Sequence, residues 1–397
     1  MKRQNKVIDV LSFVIFLISP IISGVTGILG IIKNTRYSYI TFSLFISYMS
    51  FSFIPESIWD KTRHIEFYEL VKDYSLNQFL TYNFSESPDF VFRAILYLAG
   101  ATKNNVHIMI FFVTFITFYL VLKVFEEFRK QFTEPNILFP LLTLLSFSYL
   151  DVFSGLRYTL AISLIFYAYY EGLIKKNKNV AVFCLLIGVF THFSVTLFVA
   201  IYFLMPVLIR VDIYKAKVLL VFTMFFLVIP QDLILSLFQL VGLSGVLEYK
   251  VNVYLSEDAV AEEINGFAAQ FVTYSNVIWI YFTSFVLLIE RRQSNEFYKI
   301  LIWILIFINV FYAFPVVYNR YALFLKFIIV LYVIKARSLR LQLIYFVFFS
   351  IIFLNQLVIM RFGFFDIILN PNKWFLFYQL LENHFTSSDI YLNKRTL

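Results

Sequence analysis

Residues 179–209, NVAVFCLLIGVFTHFSVTLFVAIYFLMPVLI, contain no Asp, Glu, Lys or Arg. About 20 apolar residues are enough for one helix to cross the hydrocarbon core of a bilayer. This run is longer than one such span and is bounded by basic clusters on both sides, Lys175/Lys176/Lys178 before it and Arg210/Lys215/Lys217 after it. Basic loops face the cytoplasm, so both ends read as lying on the same side. The run then becomes two short helices, up and back, turning near Thr191-His192-Phe193-Ser194. Arms this short require local bilayer thinning or a protein-lined recess.

The same pattern recurs along the chain. Stretches free of Asp, Glu, Lys and Arg cover 10–32, 37–55, 104–122, 135–150, 158–170, 218–231, 233–247, 264–289, 300–319 and 341–360, and 321–334 holds only Lys326. The expected architecture is an all-α, polytopic transmembrane bundle of about 11–13 spans. Composition agrees: of 397 residues 60% are apolar and 15% charged, against about 45–50% and about 25% in soluble domains. A water-soluble globule is excluded. With 11 Gly and 9 Pro, so are disordered and collagen-like classes. The single cysteine, Cys184, excludes a disulfide framework and a thiolate metal cluster. No metal, cofactor or nucleic-acid partner is expected, and the net charge of +8 is assigned to cytoplasmic loops beside anionic lipid.

Further basic segments, Lys123/Arg129/Lys130, Arg291/Arg292/Lys299 and Lys335/Arg337/Arg340, fall on the cytoplasmic side, and Lys33/Arg36 joins them. Two acidic segments face outward, one carrying Glu56, Asp60, Glu66, Glu69, Asp73 and Glu86, the other Glu248, Glu257, Asp258, Glu262 and Glu263. Residues 1–397 read as one integral membrane domain, with outer loops at 55–103 and 244–268, the short pair at 179–209 and a tail at 361–397 that falls outside by parity.

On this topology the unusual polar residues share one side of the membrane. Asp60, Arg63, His64 and Tyr68 fall on one helical face of the first outer loop. Arg93 follows that loop, Arg157 opens a hairpin, His192 marks the apex of the short pair, and Arg320-Tyr321 opens another hairpin. Outward arginines oppose the charge bias that orients the chain. Ionisable residues near membrane depth are costly and point to function, and the guanidinium fork suits phosphate oxygens. Plainer readings exist for each: a solvated amphipathic helix at 60–68, arginines snorkelling to headgroups, a structural His192. They do not explain why all lie on one side. Phosphate loops, zinc motifs, hydrolase elbows and matched broken helices are absent.

Three segments carry a family resemblance: Pro55…Asp60-x-x-Arg63-His64-x-x-x-Tyr68; Gly155-Leu156-Arg157-Tyr158-x-x-Ala161 with the Lys175-Lys176 turn and His192-Phe193-Ser194; and Asn319-Arg320-Tyr321. In these the chain resembles the bacterial Wzy-type polysaccharide (O-antigen) polymerases, in particular the EpsG-like branch. That branch often has Arg-Gln where this chain has Arg157-Tyr158. The resemblance implies a GT-C-like, metal-independent membrane glycosyltransferase of polysaccharide (lipopolysaccharide) biosynthesis. It would move a glycan from undecaprenyl pyrophosphate to the non-reducing end of another lipid-linked repeat unit. The active site would face the periplasm from the bacterial inner membrane, and a chain-length regulator would be a partner. His192, His64 or Asp60 would supply the base; Arg63, Arg93, Arg157, Arg320, Tyr68 and Tyr321 would bind substrate and pyrophosphate. The alternatives are another lipid-phosphate-sugar glycosyltransferase or ligase, and a flippase for lipid-linked sugar.

Overall fold

The structure, a computed structural model, describes residues 2–33, 35, 37–55, 59–86, 89–102, 105–131, 138–227, 267–290, 296–382 and 385–393. The second outer loop expected at 244–268 lies almost wholly outside the described residues, as do Glu56, the apolar run 233–247, Arg291, Arg292 and His384. Every regular element among the described residues is helical. In chain order these are α1 (Lys2–Ile18), α2 (Pro20–Lys33), α3 (Ser38–Ser52), α4 (Asp60–Val71), α5 (Leu76–Glu86), α6 (Phe90–Ala101) and α7 (Val106–Arg129). Then come α8 (Leu138–Leu145), α9 (Tyr149–Phe153), α10 (Leu156–Tyr169), α11 (Lys178–Thr191), α12 (Thr196–Leu208) and α13 (Ile213–Met224). The chain continues through α14 (Phe267–Ile289), α15 (Glu296–Val310), α16 (Pro315–Ala336), α17 (Leu339–Ile359), α18 (Arg361–Leu369), α19 (Leu376–Glu382) and α20 (Ser387–Asn393).

This is an all-α membrane bundle. Among the described residues α7, α14, α16 and α17 are long and apolar enough to cross a bilayer, whereas α2, α6, α11 and α15 are apolar but shorter than a full span. Some helices are shorter than the apolar runs that contain them, for local reasons. Pro20 lacks an N–H, and the run 10–32 divides at Ser19–Pro20. The run 135–150 divides where Ser148 caps α9 by accepting from the Asp151 N–H.

The chain forms two compact units, residues 1–141, 148–196 and 356–397 in the first and residues 142–147 and 197–355 in the second. In the first, α3 packs on α2 and α7, and α10 lies between α7 and α11. α10 is buried on nearly every side, through Leu156, Leu160, Ala161, Ile165 and Phe166 among others, as a helix that is apolar all round must be. Gly188 of α11 lets Ile165 approach to 3.0 Å of where a Cβ would stand. Among the buried serines of α3, Ser43 and Ser47 donate to the carbonyls one turn earlier, and Ser50 receives the Thr114 hydroxyl from α7 at 3.0 Å.

The two ends of this unit differ in chemistry. At one, Arg129 donates to the Ile31 and Ile32 carbonyls and closes the end of α2. At that same end a π-helical turn, Tyr170–Ile174, finishes α10, Lys175 bridges Glu127 and Glu171, and Lys176 takes φ 63° to reverse the chain. The opposite end gathers the C-terminus of α3, all of α4, and the starts of α6, α7 and α10. The tail returns there: the Ser387 N–H donates to Glu69 at 3.0 Å, the Tyr391 hydroxyl donates to Glu66 at 2.8 Å, and His107 bonds the Phe385 carbonyl at 2.9 Å.

The second unit packs α13, α14, α15 and α16 around Trp279, Leu301, Leu305, Tyr318 and Leu325. Asn276 accepts from the Trp279 indole and donates to Asn319, which donates to Thr273. Basic side chains again close helix ends: Lys217 donates to the Leu288 and Glu290 carbonyls, and Lys299 to that of Ile209.

Candidate active site

The first outer segment folds as an amphipathic helix, but its buried face is not the one the spacing suggested. Lys61, Thr62, His64 and Ile65 are buried in α4, Asp60 and Tyr68 are half-buried, and Arg63 points to solvent with 69% of its side chain exposed. Arg63, about 100° of helix away from His64, falls on the side of α4 that faces solvent. It pairs with Asp60 at 3.4 Å instead. Trp59 stacks on Phe53 at 5.5 Å, while Leu70 is exposed.

His64 packs against Phe92 of α6, with ring centroids 4.6 Å apart. Its Nε2 is buried and has no hydrogen-bond partner among the described residues. Burial pushes its pKa down to about 3, with the Arg157 guanidinium as the next cause; Arg63 and Arg93 act in the same direction and Asp60 opposes them. At neutral pH the imidazole is uncharged and surrounded by fixed cations.

Arg157 stands in the first turn of α10, just after Gly155. Its Nη1 donates to Asp89 Oδ2 at 3.0 Å, and its Nε is buried without a hydrogen-bond partner among the described residues. Asp89 is 3% exposed. It occupies the residue before α6, where an aspartate ordinarily caps its own helix, yet its side chain makes no cap bond there. Its second oxygen instead accepts the Phe193 N–H at 2.9 Å.

α11 stops at His192, whose backbone turns extended (φ −154°, ψ 114°) before a 3₁₀ turn, Phe193–Val195. His192 Nδ1 accepts the Ser194 N–H at 3.2 Å and lies 2.9 Å from the Ser194 hydroxyl. An Nδ1 that accepts from a backbone N–H places the proton of the neutral ring on Nε2. Nε2 is then a donor. Tyr158 meets the ring edge-on at 5.5 Å.

The structure therefore brings Asp60, His64, Arg93, Arg157 and His192 to one end of the first unit. Arg93 is half-buried, with its guanidinium 4.9 Å from the Phe67 ring centre. Tyr68 remains half-buried on α4, its hydroxyl pKa raised by burial. Arg320 and Tyr321 belong to the second unit. There Arg320 is half-buried near the start of α16, and Tyr321 is buried between Phe198 and Phe311, so its ring serves core packing.

Sequence reasoning missed two residues. Asp89 follows Pro88 and opens a helix, which reads as an ordinary cap. Lys61 reads as a solvated charge, yet it is fully buried and its Nζ donates to the Ser50 and Phe53 carbonyls at 2.5 Å each. Burial, helped by Lys373, holds the Lys61 pKa well below its ordinary value. Among the described residues no group of three His, Cys, Asp or Glu is placed to hold a metal ion.

The helical membrane bundle thus gathers a neutral histidine, arginines and a paired carboxylate at one end of its first unit. The chain belongs to the EpsG family, whose model matches residues 39–380. That span includes every residue of the cluster, and membership supports a membrane polysaccharide-polymerase or glycosyltransferase-like role. No curated protein and no solved structure matches the chain.

Proposed function

We propose that this protein is an oligosaccharide repeat-unit polymerase of the GT-C-like class. It transfers a glycan from undecaprenyl pyrophosphate to the non-reducing end of a second lipid-linked repeat unit, at the outer face of the bacterial inner membrane. The observation that carries this reading is Arg157: one nitrogen is fixed by Asp89 while its buried Nε has no partner among the described residues, beside a neutral His64. An anionic oxygen fits that position.

In the reaction an acceptor hydroxyl oxygen bonds to the donor's anomeric carbon as the bond from that carbon to the pyrophosphate oxygen breaks. The bonding pair leaves with undecaprenyl pyrophosphate, and the hydroxyl proton passes to a base. Arg157, with Arg93 and Arg63 as longer-range cations, offsets charge developing on the leaving group. His192 donates through Nε2 to an oxygen of the same group. Asp60, half-buried at the start of α4, is the carboxylate assigned as base. His64, with a pKa near 3, is too weak a base for neutral pH, and its role is to accept or donate a hydrogen bond as a neutral ring. Arg320 is assigned to the second lipid-linked substrate, and a chain-length regulator is the expected partner.

Purified protein in lipid nanodiscs, given a synthetic undecaprenyl-pyrophosphate-linked repeat unit, should produce a ladder of products. One undecaprenyl pyrophosphate should be released per bond formed. A ladder obtained only with a lipid-monophosphate donor, or no ladder at all, overturns the reading.

A further inference from the structure

We infer that Asp89 is the positioning residue of this site: one carboxylate both aims Arg157 and fixes the turn that presents His192. The inference rests on the polymerase reading for what Arg157 and His192 contact, and on the geometry alone for how Asp89 acts on them.

The two oxygens of Asp89 are divided between two elements. Oδ2 takes Nη1 of Arg157 on α10 at 3.0 Å, and Oδ1 takes the N–H of Phe193 at 2.9 Å. The next N–H along, that of Ser194, goes to His192 Nδ1, and that of Val195 returns to the His192 carbonyl. Consecutive amides of the 193–195 turn are thus taken by Asp89 and by His192 itself. If Phe193 lost its acceptor, the turn would be free to rotate, and the bond that sets the His192 tautomer would go with it. On the other side, binding one Nη of a guanidinium holds its plane and so fixes where Nε and the remaining nitrogen point. An aspartate buried to 3% with this division is not placed to act as a general base, because both oxygens are already occupied by donors.

Its position explains why it is spent this way. Asp89 sits at the start of α6 without capping it; α6 packs against α4 and α11. A carboxylate there reaches Arg157 of α10 and the end of α11 at once.

The test separates aiming from folding. In D89N the amide oxygen can still accept the Phe193 N–H, so the turn and the fold are retained. The amide NH₂ then faces Arg157, donor against donor, and the guanidinium is released. Purified wild type, D89N, D89E, R157Q and the D89N/R157Q double variant are compared for affinity toward undecaprenyl pyrophosphate and for kcat and KM in the ladder assay, with melting temperature measured on each.

D89N should bind undecaprenyl pyrophosphate roughly tenfold more weakly and turn over roughly 10–100-fold more slowly, with a melting temperature close to wild type. D89E, which keeps the charge, should recover part of both. The double variant should be no worse than R157Q, since Asp89 acts through Arg157. Additive losses in the double variant, or wild-type kinetics in D89N, overturn the proposal. If D89N and D89E both fail to fold while R157Q folds, Asp89 is a fold staple and the proposal also fails. If wild type forms no ladder, the polymerase reading falls, and the binding arm decides Asp89 alone: equal affinity in wild type and D89N overturns it.

Discussion

Arg157 and His192 show how much of the chemistry depends on single nitrogen atoms. Lysine at 157 would keep the charge but lose the fork, with one point donor in place of a fixed plane. R157K should therefore fold normally and lose roughly 10–100-fold in turnover, measured by product ladder at matched protein level. Wild-type polymer length and amount from that variant would remove Arg157 from the site. At His192, Nδ1 holds Ser194, and the proposed reaction asks Nε2 to donate. Asparagine can imitate the first and glutamine the second. H192N should keep protein abundance but lose roughly 100-fold in rate, as H192A does, whereas H192Q should retain activity within roughly tenfold of wild type. Equal loss in H192Q and H192A would mean that the ring accepts a proton instead.

At the scale of elements, α4 carries an unusual protonation cost. His64 holds a pKa near 3 when packed, against 6.5 when exposed. Between these values the opened helix binds a proton that the packed one does not, so stability of the packed state rises with pH up to about 6.5 and is flat above it. At pH 5 the loss relative to pH 7.5 is about 2 kcal/mol. Amide exchange across Asp60–Val71 should accelerate at pH 5, and H64Q should abolish that pH dependence; exchange in H64Q that still accelerates at pH 5 would assign the effect elsewhere. The seat of α4 is also tight. A Cβ on Gly100 of α6 would stand 2.5 Å from the Lys72 Cα, backbone against backbone. G100A should cost about 1–3 kcal/mol and lower the melting temperature, because neither backbone can yield. A melting temperature within a degree of wild type would show that the two helices part easily. Part of this element was legible in advance: the spacing of Asp60, Arg63, His64 and Tyr68 predicts a helix, although Arg63 faces solvent instead of joining the buried side. Its rotation was not. Nothing in the sequence says that a lysine, Lys61, finds two carbonyls at the end of α3 and so can be the side that is buried. Asp89 was illegible for a related reason, since its partners lie 68 and 104 residues further along the chain.

Across the whole molecule, composition and apolar runs were enough for the helical membrane class, because satisfying backbone groups in lipid leaves few other choices. Charge distribution along the chain also matched the layout of the first unit, where Lys33, Arg129 and Lys175 gather at one end and the cluster with Asp60, His64 and Arg157 at the other. Helix lengths were less legible, since where a run breaks depends on a proline or a cap rather than on hydropathy. The positive-inside bias predicts a cytoplasmic basic end and an external cluster, the orientation that the proposed extracytoplasmic polymerisation requires. Two exposed residues report it. Arg63 is solvent-exposed beside the cluster, and Lys176 is exposed in the turn at the opposite end. The single native thiol, Cys184, is buried, so C184A provides a background without competing label. In that background R63C should react with a membrane-impermeant maleimide in right-side-out vesicles and be protected in inverted ones. K176C should behave in the opposite way. Labelling of both from one side would contradict the end-to-end arrangement of α10 and α11. A clean reversal would keep that arrangement but place the arginine and histidine cluster on the cytoplasmic face, where a lipid-linked donor delivered to the outer leaflet could not reach it.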